Sequence, residues 1–160
     1  MGEQIYFASG VDRTALREAL QRGFDAAENR IEPFPAPDDG WTMRCCLRNS
    51  QPGELIAVVS WSPFPWEGPY REVGPVVVHT DECEGFKPSP DLPSLIDDRP
   101  MELRPYGYDK AIVYPHVIYV SKAESVAKQT RLVLSHSEVD FVHGRNVHGG
   151  CFAFVAHRQD

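Results

Sequence analysis

The segment from Val142 to Cys151, VHGRNVHGGC, holds two histidines, an arginine and a cysteine within one stretch of hairpin character. If Asn146 to Gly150 form a five-residue loop, Arg145 faces Cys151, His143 faces Ala153 and Phe141 faces Val155. Cross-strand partners share a face of the sheet, so His143, Arg145 and Cys151 would point the same way beside the small Ala153. His79 ends a run of three valines, and Arg104 lies near Tyr106 in another strand-like stretch. If these strands are neighbours, two arginines and two histidines converge. Arginine offers a planar fork for carboxylate or phosphate, and histidine offers proton transfer near neutral pH. The expected site therefore has His143 or His79 as acid or base. Arg104, Arg145, Tyr106 and Cys151 hold a small anionic ligand. The competing reading is that each of these residues belongs to a purely structural polar network.

Two other chemistries compete with this one. His79 and Cys83, and likewise His143, His148 and Cys151, mix thiol and imidazole as a metal site does. Structural zinc, however, usually shows tight ligand pairs such as C-x-x-C, and no such pair occurs. The spacing predicts no metal and no cofactor, and a Cys/His metal-binding protein stands as the third functional reading. The alternation in WTMRCCLR predicts a half-buried strand over residues 41–48. Trp41, Met43, Cys45 and Leu47 would lie on one face, and Cys46 on the other with Arg44 and Arg48. Neighbouring guanidinium groups favour a thiolate, although an inert buried thiol is the commoner state of cysteine. Phosphate-binding loops, dinucleotide fingerprints, nucleophile elbows, H-E-x-x-H and EF-hand motifs are all missing.

The elements that must position these residues follow from periodicity. Residues 4–7 read as a short strand. Residues 12–29 read as a helix with Asp12 as its N-cap and Leu16, Ala19, Leu20, Gly23 and Ala27 at helical spacing. The stretch EPFPAPDDG, residues 32–40, is a connector. Residues 54–61 pair with 41–48 as a hairpin. Residues 62–74 form a long loop that presents Phe64, Trp66 and Tyr70, the surface a protein-interaction module would use. Further strands follow at 75–80 and in MELRPY, AIVYPHVIYV, EVDFVHGR and CFAFVAHR. Between them lies a second helix near 122–134, started by a Ser121–Glu124 capping box. This order predicts an α+β fold: a mainly antiparallel sheet with two helices in a single domain. Residues 1–31 supply a strand and helix, 32–40 the connector and 41–160 the sheet-rich body.

Several short segments resemble the bacterial family called domain of unknown function 1203. They are Cys46-Leu47-Arg48, Pro52-Gly53-Glu54, Pro69-Tyr70, Gly74-Pro75-Val76-Val77-Val78-His79, Arg104-Pro105-Tyr106, Val142-His143-Gly144-Arg145-Asn146 and Gly150-Cys151-Phe152. The resemblance covers roughly residues 41–158. It implies a small bacterial cytoplasmic protein and no particular reaction, and it marks His79, Arg104, Tyr106, His143, Arg145, Gly150 and Cys151. Gly144 departs from the pattern, which calls for an apolar strand residue there.

Composition bounds what remains. A domain of 160 residues buries roughly 70% of its unfolded surface, so folding requires neither disulfide nor metal. A net charge of −7 sets up a field that repels phosphate backbones and anionic membranes, so neither nucleic acid nor a membrane is an expected partner. The N-terminus lacks the basic start and apolar stretch of a signal peptide. A cytoplasmic location with free thiols is the expectation, and the oligomeric state stays open.

Overall fold

The computed structural model describes residues 6–159. It shows two antiparallel sheets and three α-helical segments, an α+β arrangement. The chain divides into two compact units. Among the described residues, no helix is long and apolar enough to cross a membrane.

One unit comprises residues 6–9, 68–70 and 88–159. Its five-stranded sheet contains β1 (Tyr6–Ser9), β5 (Met101–Gly107), β6 (Ile118–Val120), β7 (Val139–Asn146) and β8 (Phe152–Arg158), in the order β1-β8-β7-β5-β6. Two helices accompany it, α2 (Ser94–Asp97) and α3 (Val126–Leu134). Val126, Ala127, Thr130, Val133 and Leu134 are buried, the stripe an amphipathic helix turns toward a sheet. The α3 carbonyl of Ala127 accepts the Tyr6 hydroxyl at 3.1 Å, and the Arg131 guanidinium sits 5.4 Å from the Tyr6 ring centroid.

Helix α3 begins later than its sequence signal predicts. Ser121 and Glu124 do bond to each other, at 2.9 and 3.0 Å, but they close the preceding turn. The cap is Ser125, whose hydroxyl accepts from Lys128 N at 3.1 Å. Asp97 reinforces it by accepting from Ala127 N at 2.6 Å, placing a carboxylate where the helix dipole favours it.

The other unit comprises residues 10–67 and 71–87. Helix α1 (Arg13–Arg22) is capped by Asp12, whose side chain accepts from Ala15 N at 2.8 Å. It ends well before residue 29 because Gly23 adopts a left-handed φ of 82°, the ordinary helix stop. The Asp25 carboxylate then gathers the Ala27 and Asn29 amides into a turn. The sheet of this unit has the order β2-β3-β4, from β2 (Phe34–Pro35), β3 (Leu55–Trp61) and β4 (Gly74–His79). The residues read as a connector thus supply the edge strand β2, which pairs with β3 through Phe34–Ile56 and Pro35–Leu55.

Residues 41–48 do not form a strand and do not pair with 54–61. They fold into a tight turn closed by Met43 N to Arg48 O at 2.8 Å, Leu47 N to Met43 O at 3.0 Å and a Thr42–Asn49 bridge. Leu47 takes a φ of 56°. The residues of both parities are largely buried, so the apolar alternation reflects a turn packed on all sides. Residues 4 and 5 of the first expected strand lie outside the described residues, and AIVYPHVIYV contributes only β6 and a 3₁₀ turn, Tyr114–His116.

The last hairpin also differs in register. Arg145 pairs with Phe152, not Cys151, and a bulge then shifts the ladder so that His143 pairs with Val155 and Phe141 with His157. The turn is closed by Asn146 N donating to Cys151 O at 3.0 Å and by Gly150 N donating to Asn146 O at 2.8 Å. Gly144 is required by packing: a Cβ there would overlap the Phe154 ring that lies across it.

Candidate metal centre

Three segments of the second unit converge on one point. The turn over residues 43–48 carries Cys45 and Cys46 at its tip and is fastened to β4 by Arg44 N donating to Val77 O at 2.8 Å. His79 is the last residue of β4, and its amide donates to Cys45 Sγ at 3.4 Å. The loop after β4 brings in Cys83, held by Phe86 N to Cys45 O at 3.0 Å and by the Arg13 guanidinium, which donates to Cys83 O at 2.9 Å. Gly85 has a φ of 75° and donates to Cys83 Sγ at 3.4 Å. A Cβ at Gly85 would meet the Arg13 side chain, so the loop needs glycine there.

The result is a four-donor cluster. Nδ1 of His79 lies 3.3 Å from Cys45 Sγ and 3.8 Å from Cys46 Sγ, and the Cys45 and Cys83 sulfurs are 3.7 Å apart. All four donor atoms lie within 4.8 Å of one another. Tetrahedral zinc with its usual bond lengths has edges of roughly 3.8 Å between sulfurs and roughly 3.6 Å between sulfur and nitrogen. The S–N separations of 3.3 and 3.8 Å straddle the second value, and the S–S separation of 3.7 Å is close to the first.

The far side of the histidine is equally ordered. Nε2 of His79 lies 3.1 Å from Glu54 Oε2. Glu54 also binds Arg48 through both oxygens, at 2.5 and 3.2 Å, and accepts from Gln51 N at 2.7 Å. The Arg48 guanidinium holds the Glu54 carboxyl down to about 2, so Glu54 is ionised and can only accept. A carboxylate against Nε2 favours the tautomer protonated there, the form in which Nδ1 can serve as a ligand, and the Arg48 guanidinium also approaches Nε2 at 3.4 Å. This carboxylate–histidine arrangement is the usual outer shell of a metal-bound imidazole.

The two adjacent thiols are unequal. Cys45 is buried, 2% exposed, while Cys46 is half-buried. The Cys45 thiol donates to Cys46; with the Arg48 amide and the His79 and Arg48 charges, this lowers Cys46 to about 5 against the effect of burial. Cys45 is pushed up, first by that same bond and then by burial. Two cavities reach the cluster. One of about 510 Å³ has Cys46 and Cys83 on its wall together with the acidic Asp81, Glu82 and Glu84. The other, about 360 Å³, is lined by Cys45 and Cys83 and by Arg13 and Arg17 of α1.

The sequence-predicted site residues fall elsewhere, except His79. In the five-stranded sheet, register places Arg104 opposite His143, Glu102 opposite Arg145 and Tyr106 opposite Phe141. Arg104, Tyr106, His143 and Arg145 therefore do share a face. His143 is fully buried, with the rings of Tyr106, Phe141 and Phe152 at 4.9, 5.3 and 5.3 Å. Burial, then the charges of Arg145, His157 and Arg104, lower its basicity well below that of a free imidazole. Arg104 binds Glu102 at 2.7 and 2.9 Å, and Arg145 donates to Gly150 O at 3.2 Å. Cys151 does not face Arg145. It sits at the hairpin end, where Asn146 Nδ2 donates to its sulfur at 3.3 Å. His79 belongs to the other unit.

Cys45, Cys46, Cys83, Glu54 and Arg48 lie outside the expected anion site, although the metal reading paired His79 with Cys83 and the thiol reading set Cys46 beside Arg48. Their available signal was H-x-x-x-C at His79–Cys83 together with a second cysteine pair, Cys45–Cys46. A further group, His116, His136 and Glu138, also brings three ligand atoms together. Its two imidazoles stack at 3.6 Å with planes 12° apart, so their in-plane lone pairs run side by side and do not converge.

Fold and cluster together describe an α+β protein with three cysteines and a histidine gathered at one point. The chain belongs to the family described as protein of unknown function (DUF1203), which residues 40–158 match. No curated protein and no solved structure matches it. All four donors, with Glu54 and Arg48, lie inside the matched residues.

Proposed function

We propose that this chain is a metal-binding protein and that Cys45, Cys46, His79 and Cys83 hold one soft or borderline divalent ion, with zinc the best match. The observation that carries the reading is the spacing of the donors, 3.3, 3.7 and 3.8 Å, at the edge lengths of a tetrahedral S₃N site. Thiolate and imidazole select zinc over magnesium or calcium, which prefer oxygen. The reading sets aside the expectation of no metal. That expectation rested on spacing along the chain, whereas this donor set is assembled from a turn, a strand end and a loop.

Four protein ligands leave no open position, so the ion would not activate water. It would instead tie the turn, β4 and the following loop together. The anion-pocket reading of Arg104, Arg145 and His143 has less support, because aromatic rings crowd His143 and Glu102 engages the Arg104 fork. The interaction-module reading is weakened by Phe64, which is 3% exposed and packs edge-on against Trp66 at 5.8 Å.

Elemental analysis of protein purified without added metal tests the proposal. Close to one zinc per chain is expected, lost in Cys45→Ser and in His79→Ala. A metal-free wild-type protein that also fails to take up added zinc would overturn it.

A further inference from the structure

We infer that the cluster has a second activity: it reduces hydroperoxides, by forming a disulfide between Cys45 and Cys83 that expels the metal. The metal-release half rests on the reading above; the disulfide does not.

The pairing follows from geometry. Cys45 and Cys83 have sulfurs 3.7 Å apart, so a bond of about 2 Å needs a displacement of under 2 Å. Cys45–Cys46 is the poorer pair. Adjacent Cα atoms lie about 3.8 Å apart, below the roughly 4.4–6.8 Å that disulfides span. The needed movement falls on the irregular loop after β4, which is pinned by a few hydrogen bonds to Cys45, Arg13 and Gly85. Access is asymmetric in the same sense. Cys83 is half-buried and lies on the wall of both cavities, while Cys45 is buried and borders only the smaller one. Within this pair Cys83 is therefore the sulfur that meets the oxidant and Cys45 the one that resolves it.

The chemistry balances as two two-electron displacements. The Cys83 thiolate attacks one peroxide oxygen. An S–O bond forms, the O–O bond breaks, and hydroxide (or alkoxide, from an organic hydroperoxide) leaves with the electron pair. The Cys45 sulfur then attacks the sulfenic sulfur, an S–S bond forms, the S–O bond breaks, and the hydroxide leaves as water with the Cys45 thiol proton. Two cysteine sulfurs have together been oxidised by two electrons and the peroxide reduced by two. A metal ion is left with Cys46 and His79 alone, too few donors to hold it against water.

Reduced wild-type protein, in zinc-loaded and metal-free portions, is treated with one equivalent of hydrogen peroxide. Released zinc is read with a chromogenic chelator and disulfides by peptide mapping without reduction. A dominant Cys45–Cys83 link is expected in both portions, with about one zinc released per disulfide in the loaded one. Cys83→Ser should slow release by an order of magnitude or more, and Cys46→Ser should still form the link. A dominant Cys45–Cys46 or Cys151-containing disulfide, or a lone sulfinic acid with zinc retained, overturns the inference. Protein that never binds zinc but forms the Cys45–Cys83 link overturns the metal reading and leaves the thiol chemistry standing.

Discussion

His79 and His143 invite comparison. Both are buried, 6% and 0% exposed, and both stand in strand segments through which the chain resembles its family. Their surroundings differ in kind. Around His143 stand Tyr106, Phe141 and Phe152, with the Arg104 and Arg145 charges nearby, and that setting keeps the imidazole neutral. Around His79 one ring nitrogen meets an ionised carboxylate and the other meets two sulfurs, with two cavities alongside. A buried histidine among rings contributes shape and rigidity. One with a ring nitrogen facing other donor atoms is placed to serve as a ligand. The residue type alone does not distinguish them; its second nitrogen does.

The largest expected effect breaks the comparison from the His143 side. Phe141 is 1% exposed and stacks on Tyr106 at 4.9 Å. Phe141→Ala should cost about 3–5 kcal/mol of stability, read by denaturant unfolding, with zinc content per folded chain unchanged. Loss of zinc from the folded variant would mean that the two regions are not independent. On the His79 side, Glu54→Gln removes the charge that orients the ring. Zinc affinity, measured by chelator competition, should fall about 10–100-fold while the fold persists. Unchanged affinity would show that Glu54 serves only Arg48.

The smallest effect is a slope. His143 has lowered basicity through burial. A folded value below the unfolded one, about 6.5, means that the unfolded chain binds a proton the folded chain refuses. Stability should therefore be full above that value and decline as pH falls below it, by no more than about 1.4 kcal/mol per pH unit from this histidine. His143→Gln should flatten the decline in urea melts between pH 7 and 5. An unaltered slope would place the titration elsewhere.

Much of the sheet architecture was readable from period-two patterning, because β3, β4, β5, β7 and β8 each pair through an extended, partly buried run. The grouping of Arg104, Tyr106, His143 and Arg145 on one face followed from the same periodicity. The place of Cys151 did not, since the turn takes one residue more than the five expected and Arg145 pairs with Phe152; a bulge between Gly144 and Arg145 then shifts the pairs beyond it, and a bulge leaves little trace in composition. The cluster was hidden for a different reason. WTMRCCLR imitates an alternating strand, yet its turn rests on Leu47 at positive φ and on bonds to β4, neither of which periodicity reports. With that turn misread, Cys45 and Cys46 faced opposite ways and the approach of Cys83 had no place. Short two-residue elements such as β2 lie below what a proline-rich stretch can signal.

The claim that Cys45, Cys46, His79 and Cys83 bind one ion is tested most directly by X-ray absorption at the zinc edge of the metal-loaded protein. The account predicts a first shell of three sulfurs at about 2.3 Å and one nitrogen at about 2.0–2.1 Å. Cys83→Ser should replace one sulfur by a lighter scatterer. A shell of nitrogen and oxygen alone, unchanged by that substitution, would place the metal elsewhere on the protein and contradict the account.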